Sequence, residues 1–361
     1  MLADGLVLDD YDGLKLVCDP DGTDRADVVQ GATAAARTLA GLIVRRHART
    51  ALDLGTGCGV LALTLARHAE RVVGTDINPR ALELARRSAQ LNGIANVEWR
   101  SGDWYATVRG ERFDLIACNP PYVISPDTRL IFRDGSEATE GVVRAAGEHL
   151  ETGGLAHFLV NWSHPREDWV APLRAWIPAG CDALVIHHAS MTPRQYADTW
   201  ASGADAERWL RWYGERGIEA IGAAFLLLRR RADDGPPRLQ ALEARTASTP
   251  RAGVHVQRML AGTDLAASAD DELLSRRLRI ADGVRVDRTT RRRAAAWVEG
   301  DATVRCAPTA GVQTTVPGEL LEIVLALDGS RPLADVLEGG RDVALARRLL
   351  ELGFAEDAAQ S

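Results

Sequence analysis

The stretch TALDLGTGCGVLALTLARHA, residues 50–69, decides how this chain folds. Its apolar start, 50–55, predicts a buried strand, and the spacing of apolar residues over 59–69 predicts a helix. Between them lies the pattern D-x-G-x-G-x-G, whose glycines let the backbone turn tightly and approach a ligand closely. Such a strand, turn and helix are typical of an open α/β sheet, which binds ligands at the carboxyl ends of its strands.

The alternation of strands and helices continues to residue 231. Apolar, β-rich runs separated mostly by amphipathic helices indicate a mostly parallel sheet covered on both faces. The predicted strands are 50–55, 71–76, 96–100, 113–119, 155–162, 182–188 and 219–231. We therefore predict an α/β fold with a Rossmann-like, seven-stranded, doubly wound sheet.

The flanking segments predict a second, smaller domain. Residues 1–32 indicate a lead-in with a hairpin over 5–18, and the main domain is predicted to occupy 33–231. Its first helix is predicted over 33–47, and a later one over 166–177. A turn-rich linker is predicted over 232–250, followed by a C-terminal α+β domain over 251–361 that has the size of a small winged-helix module.

Composition and sequence pattern indicate an ordinary globular protein and argue against a metal-binding or membrane-spanning one. The 361 residues are 46% hydrophobic and carry a net charge of −7, as in ordinary globular proteins. The five cysteines are scattered without a C-x-x-C pattern, which predicts a reducing compartment and no metal site, and His187-His188 has no ligand-spaced partner. Since neither a signal peptide nor a membrane-length apolar run is found, we expect a cytoplasmic protein with no membrane partner.

Acidic residues end three predicted strands. Asp53 opens the glycine loop, Asp76 ends the second strand and Asp103 stands at the end of the third. A carboxylate at the second position can accept hydrogen bonds from a ribose diol. The alternative is a glycine-rich turn that is structural only, and the succession of the three acids weighs against it.

These residues resemble class I methyltransferases, which use S-adenosylmethionine. The resemblance implies that Asp53 and the glycines face the methionine part of the cofactor, Asp76 the ribose and Asp103 the adenine. It also implies a last strand that inserts antiparallel, and a contact near Gln30-Gly31-Ala32-Thr33 with the methionine tail. The implied cofactor-binding residues are Thr33, Asp53, Gly55, Thr56, Gly57, Gly59, Asp76, Ile77, Asp103, Trp104 and Asn119.

The tetrad Asn119-Pro120-Pro121-Tyr122 closes the fourth predicted strand. Its prolines stiffen the turn, so the Asn119 amide and the Pro120 carbonyl can accept hydrogen bonds from one NH2 group and orient its lone pair. Tyr122 offers an aromatic face to a planar group. These four are the predicted catalytic residues, and Trp162 is a further candidate to face the substrate. The alternative is a strand-ending turn with a packed tyrosine.

The tetrad is similar to that of the HemK-like branch of N-methyltransferases, which act on amide and base nitrogens. Release-factor methylation is disfavoured, because too few residues precede the glycine loop for the helical domain of those enzymes. The chain also resembles an actinobacterial HemK-like group, and LDGSRPLADVL with RRLLELGFAE resembles PqqD-type winged-helix modules that hold peptides. A packing or dimerisation role for that module is the alternative.

We therefore predict an N-methyltransferase that acts on a small molecule or peptide. A nucleic-acid methyltransferase is less favoured, because the net charge is negative and no basic arm with interleaved aromatic residues is recognised. O-methylation and a non-enzymatic scaffold are further alternatives. The loop over 123–135, with Arg129, Arg133 and Asp134, is predicted to lie over the site.

Overall fold

A computed structural model describes residues 2, 4–121, 123–127, 135–338 and 342–360. The chain divides into two compact units. The first contains residues 1–40 and 45–243, and the second contains 41–44 and 244–361. Each unit has its own secondary structure and is described separately.

The first unit begins with the predicted hairpin and continues as alternating strands and helices. Its elements are β1 (Val7–Tyr11), β2 (Leu14–Cys18), α1 (Ala34–Leu42), β3 (Ala48–Leu54), α2 (Val60–Ala66), β4 (Ala69–Asp76), α3 (Pro79–Leu91), β5 (Val97–Ser101), β6 (Phe113–Cys118), α4 (Gly135–Ala145), β7 (Leu150–His164), α5 (Ala171–Arg174), β8 (Cys181–Met191), α6 (Pro193–Trp200), α7 (Gly203–Glu215), β9 (Ala220–Arg230) and β10 (Arg238–Glu243). Short 3-10 helices cover Trp104–Val108 and Ala146–His149.

The sheet has the order β10-β8-β9-β7-β6-β3-β4-β5. Strand β9 runs antiparallel to β7 and β8, as the resemblance implied, and the other pairings are parallel. The central strands are buried because helices cover both faces, and the largest side chains of the core include Phe113, Phe158 and Trp162. The α/β, doubly wound class is confirmed.

The structure corrects the strand count from seven to eight. Strand β10 lies inside the segment 232–250 that was predicted to be a linker, and it pairs in parallel with β8. Its sequence, RLQALE, is short and breaks the apolar/polar alternation at Ala241-Leu242, and only Leu242 is buried. Backbone hydrogen bonds to β8, far away in the sequence, give this short segment its structure.

Two predicted helices are shorter than expected. Helix α1 ends at Leu42 instead of 47, and the helix predicted over 166–177 is reduced to α5. The backbone N–H groups of Val170 and Ala171 donate to Asp168 Oδ1 at 3.0 and 2.9 Å. The Asp168 side chain therefore closes a turn ahead of the helix, and Pro172 lies in the first turn of α5, where a proline is tolerated.

The second unit consists of small sheets and short helices. Its elements are α8 (Gly253–Ala266), α9 (Asp270–Ser275), β11 (Leu278–Ile280), β12 (Val284–Arg293), β13 (Ala296–Cys306), β14 (Thr314–Val316), α10 (Leu321–Ala326), α11 (Leu333–Val336), α12 (Val343–Glu351) and β15 (Ala355–Asp357). Further 3-10 helices cover Gly318–Leu320 and Ala358–Gln360. Strand β11 pairs with β15, and β12-β13-β14 form an antiparallel sheet. Within the described parts of the chain, no helix is long and apolar enough to cross a membrane.

Candidate functional site

Strand register brings the predicted site residues to one edge of the sheet. Leu54, the last residue of β3, is paired with Cys118 of β6 and with Thr75 of β4, and Asp76 is paired with Ser101 of β5. The residues that follow these strand ends therefore lie side by side, in agreement with the ligand-binding edge of open α/β sheets.

A cavity of about 350 Å³ opens at this edge. Its size falls within the range of about 300–1,000 Å³ that is usual for small-molecule sites. The predicted residues on its wall are Thr33, Gly55, Thr56, Gly57, Asp76, Ile77, Asp103, Trp104, Asn119, Pro120 and Pro121. Tyr122 and the loop residues Arg129, Arg133 and Asp134 lie outside the described residues.

The glycine loop leaves open space beside its backbone. Gly55 and Gly57 have φ values of 71° and 54°, a region that favours glycine, and a Cβ on either would meet no atom within 4 Å. The N–H groups of Gly55 and Thr56 both donate to the Thr75 carbonyl, at 2.9 and 2.8 Å. The loop is therefore held against β4 while its glycines leave room for a ligand.

Asp53 and Gly59 do not line the cavity, which corrects the contacts that the resemblance implied. Asp53 is fully buried, and its Oδ2 accepts from Thr56 Oγ1 at 2.6 Å and from Ala62 N at 2.9 Å. A Cβ on Gly59 would come within 3.2 Å of the Ala85 Cβ. Asp53 thus shapes the loop and anchors α2, and Gly59 permits close packing.

Burial raises the pKa of Asp53 to about 7, although the Thr56 and Ala62 hydrogen bonds oppose the shift and nearby Asp76 adds to it. Its Oδ1 is buried and has no hydrogen-bond partner among the described residues. A protonated carboxyl avoids an uncompensated buried charge, so below about pH 7 the neutral form is favoured in the folded protein.

Asp76, the last residue of β4, holds the glycine loop in place through hydrogen bonds. Its Oδ2 accepts from Gly57 N and its Oδ1 from Asn78 N, each at 2.9 Å. Burial raises its pKa, and these backbone hydrogen bonds lower it. Each carboxylate oxygen can accept more than one hydrogen bond, so Asp76 can still bind hydroxyl groups of a ligand in the cavity.

Apolar and aromatic residues complete this side of the cavity. Ile77 is 55% exposed, which is unusual for isoleucine, and Trp104 and the exposed Asp103 stand beside it on the wall. A flat, polar-edged ring placed between them would be covered on its faces and could donate to Asp103. Cys58 also lines the cavity, and burial raises the pKa of its thiol to about 12, so it stays protonated.

Asn119 lies on the other side of the glycine loop. Its Oδ1 is buried and has no hydrogen-bond partner among the described residues. Leaving such an acceptor unpaired costs about 1–3 kcal/mol. A hydrogen-bond donor on a ligand in the cavity would therefore be stabilised by this oxygen. Pro120 and Pro121 follow it on the wall.

Several site residues were missed in the sequence. Trp200, at the end of α6, lines the cavity, as do Val28, Val29 and Asn78. Asn78 caps α3 and donates to the Asp27 carbonyl at 3.1 Å, which holds the lead-in segment beside the cavity. The Asn-Pro start of α3 could have indicated this cap. Trp162 is fully buried in the core and donates to the Trp169 carbonyl, so its expected place at the substrate was wrong.

Part of the chain is similar in sequence to known proteins. The family model of the methyltransferase small domain matches residues 29–172. The chain is 46% identical over 150 residues to a release factor glutamine methyltransferase of Xylella fastidiosa (40% of this chain, 53% of the relative). It is 40% identical over 163 residues to the Escherichia coli enzyme of that name (41% and 55%).

A third relative is a putative protein N5-glutamine methyltransferase of Methanocaldococcus jannaschii, 33% identical over 119 residues (30% of this chain, 59% of the relative). The chain thus spans a little over half the length of these relatives. The matched family model covers the glycine loop, the three acids and the asparagine-proline corner, and all of these except Asp53, Leu54 and Gly59 line the cavity.

Proposed function

We propose that this chain, with a methyltransferase small domain over residues 29–172, is an S-adenosylmethionine-dependent N-methyltransferase of a glutamine side-chain amide in a peptide or protein. The observation that carries the proposal is the buried, unpartnered Oδ1 of Asn119 on the cavity wall. The relatives named as glutamine methyltransferases support the amide as acceptor.

The cavity fits the cofactor in shape and chemistry. Gly55 and Gly57 leave the loop open, Asp76 can accept from ribose hydroxyls, and Ile77 with Asp103 suits an adenine ring. Thr33 and the lead-in segment would enclose the methionine end. Bound there, S-adenosylmethionine supplies a sulfonium methyl group that is electrophilic toward nitrogen.

The asparagine-proline corner then acts on the acceptor. Asn119 Oδ1 accepts a hydrogen bond from the acceptor NH2, and the rigid Pro120 carbonyl is suited to accept the second. Holding both hydrogens turns the nitrogen lone pair toward the methyl group, and proximity of this kind can lower a barrier by several kcal/mol. Nitrogen forms the new bond to the methyl carbon as the carbon–sulfur bond breaks, and a proton leaves the nitrogen.

O-methylation is less well supported. A hydroxyl acceptor needs a general base within hydrogen-bond reach. The described residues that line the cavity include no histidine. Their two carboxylates lie on the far side of the glycine loop from Asn119, since Asp76 ends β4 and Asp103 follows β5.

The test uses the full chain with labelled S-adenosylmethionine and peptides that differ only at one position, Gln, Asn or Glu. We expect methylation of the glutamine peptide, with mass spectrometry placing one methyl group on the side-chain amide. Asn119→Ala should lower kcat by about 100-fold or more while the cofactor Kd, measured by calorimetry, changes little.

Asn119→Asp keeps the acceptor oxygens and should recover part of the rate. No binding of S-adenosylmethionine by the wild-type chain would contradict the enzymatic proposal as a whole. Transfer to a base amine or a hydroxyl, with none to the glutamine peptide, would contradict the amide acceptor alone.

A further inference from the structure

The second unit contains a long hairpin whose outer half is exposed. Strands β12 and β13 pair antiparallel from Val284–Cys306 out to Arg293–Ala296. The base is packed, since Ala302 and Val304 are fully buried. Residues 288–298, which we call the arm, are all exposed except the half-buried Val298.

The arm is strongly basic although the whole chain is acidic. It contains four arginines and no acidic residue. Arg288 pairs with Glu299 (Nη1–Oε1, 3.4 Å). The guanidinium groups of Arg291, Arg292 and Arg293 have no ion-pair or hydrogen-bond partner in the described part of the chain, although their backbones belong to the hairpin ladder. Three adjacent unpaired guanidinium groups repel one another, so a partner that supplies several negative charges would stabilise them.

A single large aromatic residue stands among these arginines. Trp297 is 71% exposed, the most exposed of the large apolar side chains described. It lies directly opposite Arg292 in the strand register, so the two side chains share one face of the hairpin. Arg291 and Arg293 lie on the other face, because side chains alternate along a strand.

We propose that the arm is a nucleic-acid-binding element, in which Arg291, Arg292 and Arg293 contact backbone phosphates and Trp297 stacks on an unpaired base. Guanidinium groups bind phosphate oxygens in bidentate fashion, and an indole ring stacks on any base. This goes beyond the proposed amide methylation and assigns no role to the cavity. The sequence was expected to contain no basic arm with interleaved aromatic residues, and this arm is basic with a single aromatic residue, Trp297.

The chemistry of the arm favours nucleic acid over two other anionic partners. Insertion into a membrane interface is driven by a broad apolar face, whereas Trp297 is the arm's only large exposed apolar side chain. An acidic peptide would satisfy the arginines but would leave the indole without a matching planar group. Phosphodiester strands supply both regularly spaced charge and flat rings.

The first experiment titrates the full chain into short labelled oligonucleotides, single- and double-stranded, and follows fluorescence anisotropy at several salt concentrations. The test variant is the triple change Arg291→Gln, Arg292→Gln and Arg293→Gln. The matched control changes three exposed arginines of the first unit in the same way: Arg166, Arg174 and Arg211.

We expect the wild-type chain to bind single strands, with an affinity that falls as salt rises. The slope of log K against log salt is negative, and in the test variant its magnitude should fall by about 2, since each phosphate contact contributes about −0.7 on a single strand. The control has the same net charge and should keep the wild-type slope. Equal losses in the two triple variants, or equal slopes in the wild type and the test variant, would overturn the proposal.

Trp297 supplies the second experiment. Trp297→Ala should weaken single-strand binding by about 5- to 100-fold, and Trp297→Phe should restore most of it. Because Trp297 is exposed, neither change should alter the melting temperature. Binding to phosphatidylserine-containing vesicles or to polyglutamate, with none to any oligonucleotide, would overturn the nucleic-acid proposal and would indicate an anionic membrane or an acidic peptide as the partner.

Discussion

At the scale of single residues, Ile77 shows how the site differs from the core. An isoleucine that is 55% exposed on a cavity wall gains little for folding, and a ligand that covers it gains apolar contact. Ile77→Ala should therefore weaken S-adenosylmethionine binding by about 1–2 kcal/mol and leave the melting temperature almost unchanged. Calorimetric titration and thermal unfolding measure the two effects.

Leu91, also 55% exposed, lies at the end of α3 and is absent from the cavity wall, so Leu91→Ala is the matched control. It should change neither quantity. A loss of stability without a loss of affinity in Ile77→Ala would remove the adenine-side assignment of this residue.

Asp53 predicts a pH dependence of stability. Its folded-state pKa of about 7 lies above the ordinary aspartate value of 3.8. The stabilising effect of its protonated form is fully present below about pH 4 and is lost as the pH rises through about 7, up to about 4 kcal/mol in total.

The variant Asp53→Asn has no titrating group at this position. Urea unfolding at about pH 5 and about pH 8 should therefore show a larger decline in the free energy of unfolding for the wild type than for Asp53→Asn. Parallel declines would argue against a raised pKa.

At the scale of elements, helices α6 and α7 hold the segment that follows the asparagine-proline corner. The Tyr213 hydroxyl donates to the Ile124 carbonyl at 2.7 Å, and the Ile124 N–H donates to the Tyr196 hydroxyl at 3.2 Å. Trp209 Nε1 donates to Asp127 Oδ2 at 3.0 Å. Residues 124 and 127 are thus both held by α6 and α7, the two helices that connect β8 to β9.

Removing one of these hydrogen bonds should affect the acceptor more than the cofactor. Tyr213→Phe keeps the buried ring, so the expected loss of stability is about 1 kcal/mol. We expect a higher KM for the peptide acceptor and an unchanged Kd for S-adenosylmethionine. Tyr105→Phe removes a comparable buried bond, to the Val142 carbonyl, and should lower stability without raising the KM. Equal KM values in the two variants would contradict this role of α6 and α7.

Elements that depend on local signals were predictable, and those that depend on distant partners were not. The glycine loop, Asp76 and Asn119 stand at strand ends with clear apolar periodicity, so their convergence followed from the topology of a parallel sheet. Strand β10 and the arm lack such periodicity. The run RTTRRR contains no apolar residue, and it is a strand only because β13 pairs with it.

At the scale of the whole molecule, the net charge of −7 conceals a local basic surface. An average over 361 residues contains no information on how arginines are placed. The arm concentrates unpaired arginines, whereas those of the first unit often pair with acids, such as Arg80 with Asp19 and Arg100 with Glu98. Nucleic-acid binding is therefore compatible with an acidic chain, because phosphates respond to the local field within about 10 Å.

The two proposed sites belong to different units: the described residues that line the cavity lie in the first, and the arm lies in the second. Their functions should consequently separate by mutation. The triple arginine-to-glutamine variant of the arm should keep the wild-type cofactor Kd and the rate on a free glutamine peptide, while Asn119→Ala should keep the wild-type affinity for oligonucleotides. Parallel measurements of methyl transfer and anisotropy on both variants test this. A loss of peptide methylation in the arm variant would mean that the arm contributes to the methylation site itself, because these exposed side chains make no contact in the described structure that folding requires.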